Sequence, residues 1–173
     1  LEGDADGMIS GYSRAYPTVV KPILEVIGRA AGVKKVATVN IMITDRGPLF
    51  LADTSINIEP NAEELADIAQ MTANVASNFG FNPVLAMLSY ANFGSSSHPN
   101  ARKVREAVRI LHETKPNLVV DGEIQTDFAL NKELHQSKFP FSKLAGKTVN
   151  TLIFPNLESA NITYKLLKEL NKA

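Results

Sequence analysis

The chain has 173 residues, 18 lysines and arginines against 18 aspartates and glutamates, and no cysteine. Zero net charge argues against a protein that wraps nucleic acid or lies on an anionic membrane surface, since both need clustered excess cations. The lack of cysteine excludes disulfides, thiolate nucleophiles and cysteine metal sites, while 45% apolar residues suffice for one buried core.

Hydrophobic periodicity predicts strands that alternate with helices. In chain order we predict a helix over 16–32, strands over 36–44 and 48–52, a helix over 60–79, a strand over 83–90, a helix over 101–114, a strand over 117–120, an irregular stretch over 121–125, helical sequence up to 137, a strand over 147–154 and a helix over 157–171. Such alternation indicates a parallel or mixed sheet covered on both faces. The expected fold class is α/β, a three-layer α/β/α arrangement with a mixed, mostly parallel sheet that includes one β-hairpin.

Local signals indicate the turn of the hairpin and the two ends of the helix that follows it. Gly47 lies between the first two strands and supplies the positive φ that a short hairpin loop favours. Asn61 and Glu64 have the spacing of a capping box at the start of the next helix, and Gly80 marks its end.

No apolar run approaches the ~20 residues of a membrane span, and the acidic N-terminus has no signal-peptide core. We therefore expect a cytoplasmic protein with no membrane or nucleic-acid partner. Ligands of open α/β sheets bind at the carboxyl ends of strands, so three loops are candidates for a site: residues 90–99, 121–125 and 154–156.

The loop of Gly94, Ser95, Ser96 and Ser97 lies between a buried strand and the start of a helix. Its amides and hydroxyls suit a phosphate or another anion, but a serine-rich capping turn that bonds only to itself is the favoured interpretation. On the helix that follows, a basic row shares one face, which is typical of a solvated surface and is also suited to a phosphorylated ligand. Its members are Arg102, Arg105, Arg109 and His112.

Asp121, Glu123 and Asp127 form a carboxylate cluster after a strand. Such a cluster holds a hard cation or does acid–base chemistry in some proteins. Here the favoured interpretation is structural, in which these carboxylates cap the following helix and fix a loop.

Four separated motifs resemble, in order, the phosphotransacetylase family, the phosphate acetyl/butyryl transferases. They are Gly-Pro-Leu-Phe-Leu-Ala-Asp-Thr at 47–54, Leu-Ser-Tyr at 88–90, Asp-Gly-Glu-Ile-Gln-Thr-Asp at 121–127, and Ile-Phe-Pro-Asn-Leu at 153–157 with Asn161 and Tyr164-Lys165. Within that family, Asn-Phe-Gly-Ser-Ser-Ser-His-Pro at 92–99 and Phe-Pro-Phe-Ser at 139–142 look like the version fused to bacterial NADP-dependent malic enzymes.

The resemblance implies a two-lobed fold of the isocitrate/isopropylmalate-dehydrogenase type, with CoA or acyl-CoA in the cleft and a homodimer or higher homo-oligomer. Residues 1–173 would form one domain or lobe of a larger protein, with 1–35 as an N-terminal lobe remnant and connecting helix and 36–173 as the main α/β lobe. The residues it implies for CoA or acyl-phosphate binding are Ser13, Lys21, Tyr90, Gly94, Ser95, Ser96, Ser97, Asp121 and Glu123.

Two departures from the family pattern imply that no residue here is catalytic. The Ser-Arg pair of the transferases lies downstream of the Tyr164-Lys165 helix, whereas the sequence holds only Ser13-Arg14, in another motif. Lys21 stands where the transferases have an arginine, which keeps the charge but loses the planar two-pronged grip on phosphate.

Two functions follow from the resemblance. In the first, this region binds acetyl-CoA or a related ligand for regulation and mediates oligomerisation of an NADP-dependent malic enzyme that oxidatively decarboxylates malate to pyruvate. It has no cofactor of its own, and NADP and a divalent metal bind only in a domain outside this chain. In the second, it is an active phosphate acetyl/butyryl transferase that moves an acyl group between CoA and phosphate, with Lys21 holding the phosphate. A plain oligomer interface is a third possibility.

Overall fold

The computed structural model describes residues 8–10, 16–29, 33 and 35–170. The chain divides into two units, Leu1–Val36 and Ala37–Ala173. The first unit contains helix α1 (Tyr16–Val26), which is shorter than the predicted helix over 16–32. The helix stops early because Gly28 has φ +76° and donates its amide back to the Ile23 carbonyl, as a glycine just after a helix end does.

The second unit contains the sheet. Its elements are β1 (Val39–Thr44), β2 (Gly47–Ala52), α2 (Ala62–Asn78), β3 (Val84–Leu88), α3 (Pro99–Thr114), β4 (Val119–Ile124), α4 (Thr126–Leu130), α5 (Lys132–Lys138), β5 (Thr151–Ile153) and α6 (Leu157–Leu170). The sheet order is β1-β2-β5-β3-β4. Only β1 and β2 pair in antiparallel fashion, and the other neighbours are parallel. The predicted α/β class, with one hairpin on a mostly parallel sheet, is confirmed.

Apolar side chains cover both faces of this sheet. On one face, buried residues of α2 and α3 such as Leu65 and Leu111 pack on Leu85 and Ile153. On the other face, Leu152 packs in a second cluster with buried residues from α4, α6 and the segment between α5 and β5. A helical layer therefore lies on each side of the sheet, which is the three-layer arrangement predicted from the alternating elements.

The locally encoded signals form as predicted. Gly47 has φ +99° and is the first residue of β2, directly after the two-residue hairpin loop. The Asn61 side chain accepts from the Glu64 amide at 2.9 Å, and the Glu64 carboxylate accepts from the Asn61 amide at 3.0 Å, which completes the capping box of α2. Gly80, at φ +83°, follows the helix end and donates to the Ser77 carbonyl.

Strand β4 is longer at its C-terminal end than the sequence analysis predicted. The prediction ended a strand at residue 120 and treated 121–125 as irregular, whereas β4 runs through Ile124. Asp121 and Glu123, residue types that are depleted in strands, are 9% and 0% exposed there. They are tolerated because distant side chains and amides satisfy both carboxylates, as described below.

Two further boundaries differ from the predicted ones. Strand β5 covers only Thr151–Ile153 instead of 147–154, because the Asn150 side chain accepts from the Val84 amide at 2.9 Å and donates to the Asn82 carbonyl, where a longer strand would pair. The predicted single helix up to 137 is split at Asn131, whose side chain caps α5. Among the described residues, no helix is both long enough and apolar enough to span a membrane.

Candidate functional site

The candidate site lies at the edge of the sheet where the four parallel strands end. Backbone hydrogen bonds hold the loops of this edge together: Phe154 donates to the Ala52 carbonyl at 2.9 Å, and Ser89 donates to the Ile124 carbonyl at 2.9 Å. The loops after β2, β5, β3 and β4 therefore start side by side, as expected for a ligand site of an open α/β sheet.

Asp53 organises the loop after β2. Its side chain is 2% exposed, and it accepts hydrogen bonds from the Ser55 amide at 3.0 Å and the Asn57 amide at 2.9 Å, as well as from the Thr38 hydroxyl. Burial by itself raises the pKa of Asp53. The hydrogen bonds that the carboxylate accepts, first that from the Ser55 amide, lower the pKa by more, so that the net pKa lies below its usual value. The buried charge thus fixes the path of residues 53–57.

Lys103 links two of these loops. Its ammonium group pairs with the Glu59 carboxylate and donates to the Pro155 carbonyl at 3.0 Å, while its side chain is only 16% exposed. From α6, Asn161 donates to the Thr54 carbonyl at 3.0 Å. The sequence analysis did not single out Lys103, because the sequence of α3 does not indicate partners that lie 44 and 52 positions away.

Glu123 holds the loop after β3. Its carboxylate accepts from the Gly94 amide at 2.8 Å and from Arg105 through two nitrogens, at 3.0 and 3.1 Å. Its own backbone carbonyl accepts from the Phe93 amide at 2.8 Å. Arg105 also donates to the Ser96 carbonyl at 2.9 Å, so that one ion pair, buried on the Glu123 side, holds both halves of the loop.

The loop hydroxyls and amides bond mainly within the loop. The Ser95 hydroxyl accepts from the Asn92 amide at 3.0 Å, and the Ser96 hydroxyl lies 2.9 Å from that of Tyr90. At the start of α3, the side chain of His98 accepts from the Asn100 amide, and Pro99 carries no amide hydrogen. These contacts fit the predicted serine-rich capping turn, in which the loop bonds mainly to itself.

A second side-chain pair anchors the same loop from β4. The Asn92 amide group donates to the Gln125 side chain at 2.9 Å, and the Gln125 amide donates back to Asn92 at 2.8 Å. Gln125 also donates to the Tyr90 carbonyl at 2.6 Å. Tyr90 itself remains 58% exposed at the loop surface.

Asp121 points to a different neighbourhood from Glu123. It accepts from the Ser142 hydroxyl and the Lys143 amide, each at 2.8 Å. The carboxylate cluster predicted at 121–127 therefore separates into two structural contacts. The predicted capping of the next helix is wrong, because the first residue of α4 is preceded by Gln125, which makes no side-chain cap.

Close to Asp121, His135 is 2% exposed and packs against the rings of Phe93 and Phe139. Burial lowers the pKa of His135, more than the nearby Asp121 carboxylate and the hydrogen bond to the Phe128 backbone raise it. Its Nε2 atom has no hydrogen-bond partner among the described residues. Burial therefore favours the neutral form of this histidine, which the sequence analysis did not single out.

The basic row of α3 is a solvated surface only in part. Arg102 and Arg109 are exposed, as favoured, whereas Arg105 and His112 contact strand β4. Arg105 is bound to Glu123, and the pKa of Arg105 is raised chiefly by that hydrogen bond. Arg109 is paired with Glu106 at 2.6 Å and Glu113 at 2.5 Å on the exposed side of the helix, and these carboxylates raise the pKa of Arg109 above its usual value. The His112 ring lies 2.8 Å from the Val120 carbonyl.

The predicted ligand residues fall into three groups. Tyr90, Gly94, Ser95, Ser96 and Ser97 share one loop that Glu123 fastens, whereas Asp121 faces residues 142–143. Lys21 is exposed on α1, in the first unit, and pairs with Glu25 at 3.8 Å. Ser13 lies outside the described residues. Over the described ranges, no group of three or more histidines and carboxylates has a metal-binding arrangement.

The fold is that of an open α/β protein with its candidate loops at the carboxyl edge of the sheet. Three comparisons show the family to which such a chain belongs. The family model "Phosphate acetyl/butaryl transferase" matches residues 1–173. The NADP-dependent malic enzyme of Haemophilus influenzae is 40% identical over 166 residues, which are 96% of this chain and 22% of that enzyme. The phosphate acetyltransferase of Thermoanaerobacterium thermosaccharolyticum is 42% identical over 179 residues, which are 99% of this chain and 54% of that enzyme.

Among solved structures, a phosphotransacetylase from Streptococcus pyogenes superposes with a TM-score of 0.88 at 39% identity, over 97% of this chain and 51% of the other. The chain belongs to the phosphate acetyl/butaryl transferase family. It spans about a fifth of that malic enzyme and about half of that phosphate acetyltransferase. The resemblance given by the four motifs is thereby confirmed.

Proposed function

We propose that this chain is the phosphotransacetylase-like region of an NADP-dependent malic enzyme, where it binds acetyl-CoA or a related CoA ester as a regulatory ligand. NADP, the divalent metal and malate would bind elsewhere in that enzyme. The similarity to malic enzymes over nearly all of this chain and a fifth of theirs supports this role. Regulation of this kind requires the ligand to favour one global state of the enzyme over another.

The observation that carries this choice is the bonding of the loop at 90–97. In a site that transfers an acyl group between CoA and phosphate we would expect amides and an arginine aimed at the ligand. Here the Gly94 amide and Arg105 are bound to the Glu123 carboxylate of the same chain. The amide and the arginine are thus engaged inside the protein, and the exposed side chains of the loop remain for contact with a ligand. Tyr90 and Ser97, both exposed, are the residues of this loop that we propose for contact with the CoA ester. Lys21, an exposed cation of the first unit, is proposed separately, from the family resemblance alone.

Calorimetric titration of the complete protein with acetyl-CoA tests the binding. We expect Lys21→Met to weaken the affinity about tenfold, since it removes one cation from the phosphate-rich ligand. Lys168→Met is the matched control, because Lys168 is equally an exposed helical lysine but lies on α6. Equal affinities of both variants would remove Lys21 from the site.

The regulatory role is tested by malate-dependent NADP reduction. Acetyl-CoA should change this rate in the full-length enzyme, and deletion of residues 36–173 should abolish the response while reduction continues. A response that survives the deletion would refute the role proposed for this region.

A second candidate is an active phosphate acyltransferase. It is favoured by the 42% identity to a phosphate acetyltransferase and by the close superposition on a phosphotransacetylase. In this case Lys21 would hold phosphate, and the loop at 94–97 would line the acyl or CoA site. Formation of acetyl-CoA from acetyl phosphate and CoA by the complete protein would establish it, and absence of turnover in a protein that binds acetyl-CoA would leave the first proposal.

We also propose that the region assembles as a homo-oligomer. Ile162, Leu166 and Leu170 lie one turn apart along α6 and are 66%, 56% and 70% exposed, which supports a surface covered by a second copy. Light scattering after size-exclusion chromatography should give a smaller mass for Leu166→Glu than for the unchanged protein. An unchanged mass would place the contact elsewhere.

A further inference from the structure

His135 lies in a cluster of aromatic rings that joins α5 to the loop at 90–97. Its side chain is 2% exposed, and its ring centroid lies 6.3 Å from that of Phe93 and 5.9 Å from that of Phe139. Phe141 lies at the outside of the cluster, 5.1 Å from Phe93, and is 71% exposed. Because Phe93 belongs to the loop and the other rings to α5 and the residues directly after it, this aromatic cluster is a contact between the two.

The polar atoms of His135 are incompletely paired. Its Nε2 atom is buried and has no hydrogen-bond partner among the described residues, so the hydrogen bond to the Phe128 backbone uses the other ring nitrogen. A neutral imidazole carries one N–H group, whereas an imidazolium carries two, and each buried N–H group needs an acceptor or water. A charged His135 therefore needs the aromatic cluster to open toward water.

The ionisable groups around His135 do not supply the missing partner. Asp121 of β4 favours the charged ring by its field, but its carboxylate accepts from the Ser142 hydroxyl at 2.8 Å, and Glu123 of the same strand is bound to Arg105. Residues 91–97 and 139–142 contain no ionisable side chain. The remaining ionisable residues of α4, α5 and the segment that follows are exposed: Asp127, Lys132, Glu133, Lys138 and Lys143. Burial therefore outweighs Asp121, and the pKa of His135 lies below its usual value.

The loop has a strained residue at this contact. Phe93 has φ +41°, which is unfavourable for a bulky side chain. Its ring packing opposes that strain, and so does its amide, which donates to the Glu123 carbonyl at 2.8 Å. The next amide, that of Gly94, donates to the Glu123 carboxylate at 2.8 Å. Loss of the ring packing would therefore let Phe93 relax and would expose both amides to water.

We propose that His135 is a pH-sensitive switch for the loop at 90–97: when the ring takes up a proton, Phe93 leaves the aromatic cluster and the loop opens. Proton uptake favours the open loop because water then solvates both ring nitrogens. The ratio of closed to open loop falls by about tenfold for each pH unit between the ordinary pKa of about 6.5 and the lowered pKa of the closed form. As a control of ligand binding, this inference rests on the proposed function, whereas the coupling of the proton to the loop does not.

Hydrogen exchange of the complete protein, read by mass spectrometry from pH 8 to pH 4, tests the coupling. The slow exchange of the His135 Cε1 hydrogen gives the titration midpoint. Below that midpoint, a peptide over 91–97 should exchange within about tenfold of the rate of an unstructured chain at the same pH, while a peptide over β2 stays protected at least about a hundredfold. A loop that stays protected after His135 has titrated, or a loss of protection in both peptides together, would overturn the proposal.

His135→Gln removes the titrating group, and the loop should then stay protected over the whole pH range. His98→Gln is the matched control, because His98 lies beside the same loop, where its side chain accepts from the Asn100 amide. This variant should keep the transition of the unchanged protein. A transition that persists in His135→Gln contradicts the switch. If His135→Gln does not fold, the unchanged protein decides, because the loop midpoint either coincides with that of His135 or does not.

The affinity for acetyl-CoA, measured one pH unit above and one below the His135 midpoint, tests the control of binding. The affinity of the unchanged protein should fall by at least about fivefold more than that of His135→Gln, and the titration of the ligand itself cancels in this comparison. Equal factors would overturn the control of binding. Absence of acetyl-CoA binding at both pH values would refute the proposed function and leave the switch, whereas a loop that is insensitive to pH would refute only the switch.

Discussion

Gly122 lies where β4 passes close to the backbone of β3. Its φ is +147°, and a Cβ placed on it would lie 2.5 Å from the Met87 carbonyl oxygen and 3.0 Å from the Met87 Cβ. Only glycine meets both demands, because the carbonyl belongs to a strand of the sheet and has no room to withdraw. The small residue at this position is therefore a requirement of the β3–β4 pairing beneath the candidate site.

We expect Gly122→Ala to lower the free energy of unfolding by about 2–4 kcal/mol, since it adds a backbone clash to an unfavourable φ. Urea unfolding followed by circular dichroism measures the change. Gly80→Ala is the control: Gly80 also has a positive φ, +83°, but nothing lies within 4 Å of the added Cβ. Its cost should be only about 1–2 kcal/mol. Equal losses in the two variants would show that the Met87 contact relaxes.

At the scale of elements, short-range signals were sufficient for some predictions. The hairpin needed only Gly47 between two β-rich runs, and α2 needed only its capping box and Gly80. The alternation of strands and helices was enough for the three-layer class. The hairpin and capping signals, and the periodicity that marks each element, involve residues fewer than about five positions apart.

Strand β4 and the candidate site depend on longer-range contacts, which explains the failures. Glu123 looked like a loop carboxylate because its partners, Gly94 and Arg105, are 29 and 18 positions away. Arg105 looked solvated for the same reason. Lys103 and His135 carry no local signal at all. The order of the motifs located the candidate loops, but only the fold shows which side chains are already engaged with each other.

Helix α3 offers a direct comparison of two arginines one turn apart. Arg105→Met leaves the Glu123 carboxylate buried without its cation, and we expect a loss of about 2–4 kcal/mol in the free energy of unfolding. This loss is at the low end of the usual cost of removing one partner from a buried ion pair, because the Arg105 side chain is itself 42% exposed. Arg109→Met removes pairs with Glu106 and Glu113 on the exposed side of the same helix, and its unfolding midpoint should be unchanged.

Urea unfolding at low ionic strength and again in 1 M salt distinguishes the two contributions. A buried pair is screened little, so the Arg105→Met loss should persist in salt at about the same size. If Arg109→Met is as damaging as Arg105→Met, the Glu123 pair does not hold the loop in the way its geometry indicates.

At the scale of the whole molecule, two buried groups with lowered pKa values, Asp53 and His135, contribute to the acid side of the stability curve. The folded state lowers the pKa of Asp53, so Asp53 stabilises the fold fully above pH about 4 and loses that contribution as the pH falls through its folded pKa. Asp53→Asn should lower the free energy of unfolding by about 2–3 kcal/mol at pH 7, because the NH2 group of the asparagine faces N–H and O–H donors and cannot accept from them. This gap should shrink below pH about 4. Asp67→Asn, on the exposed face of α2, is the control.

His135 acts in a separate pH window. The folded state lowers its pKa, so between that pKa and the unfolded value of about 6.5 the unfolded chain binds more protons than the folded one. The free energy of unfolding must therefore decrease as the pH falls below about 6.5, before Asp53 begins to titrate. His135→Gln should flatten the curve in this range and leave the lower window in place, whereas His98→Gln should retain the slope because His135 is still present. A curve that is already flat between pH 7 and 5 in the unchanged protein would mean that water reaches His135 beside Phe93 and Phe139 and solvates the charged ring.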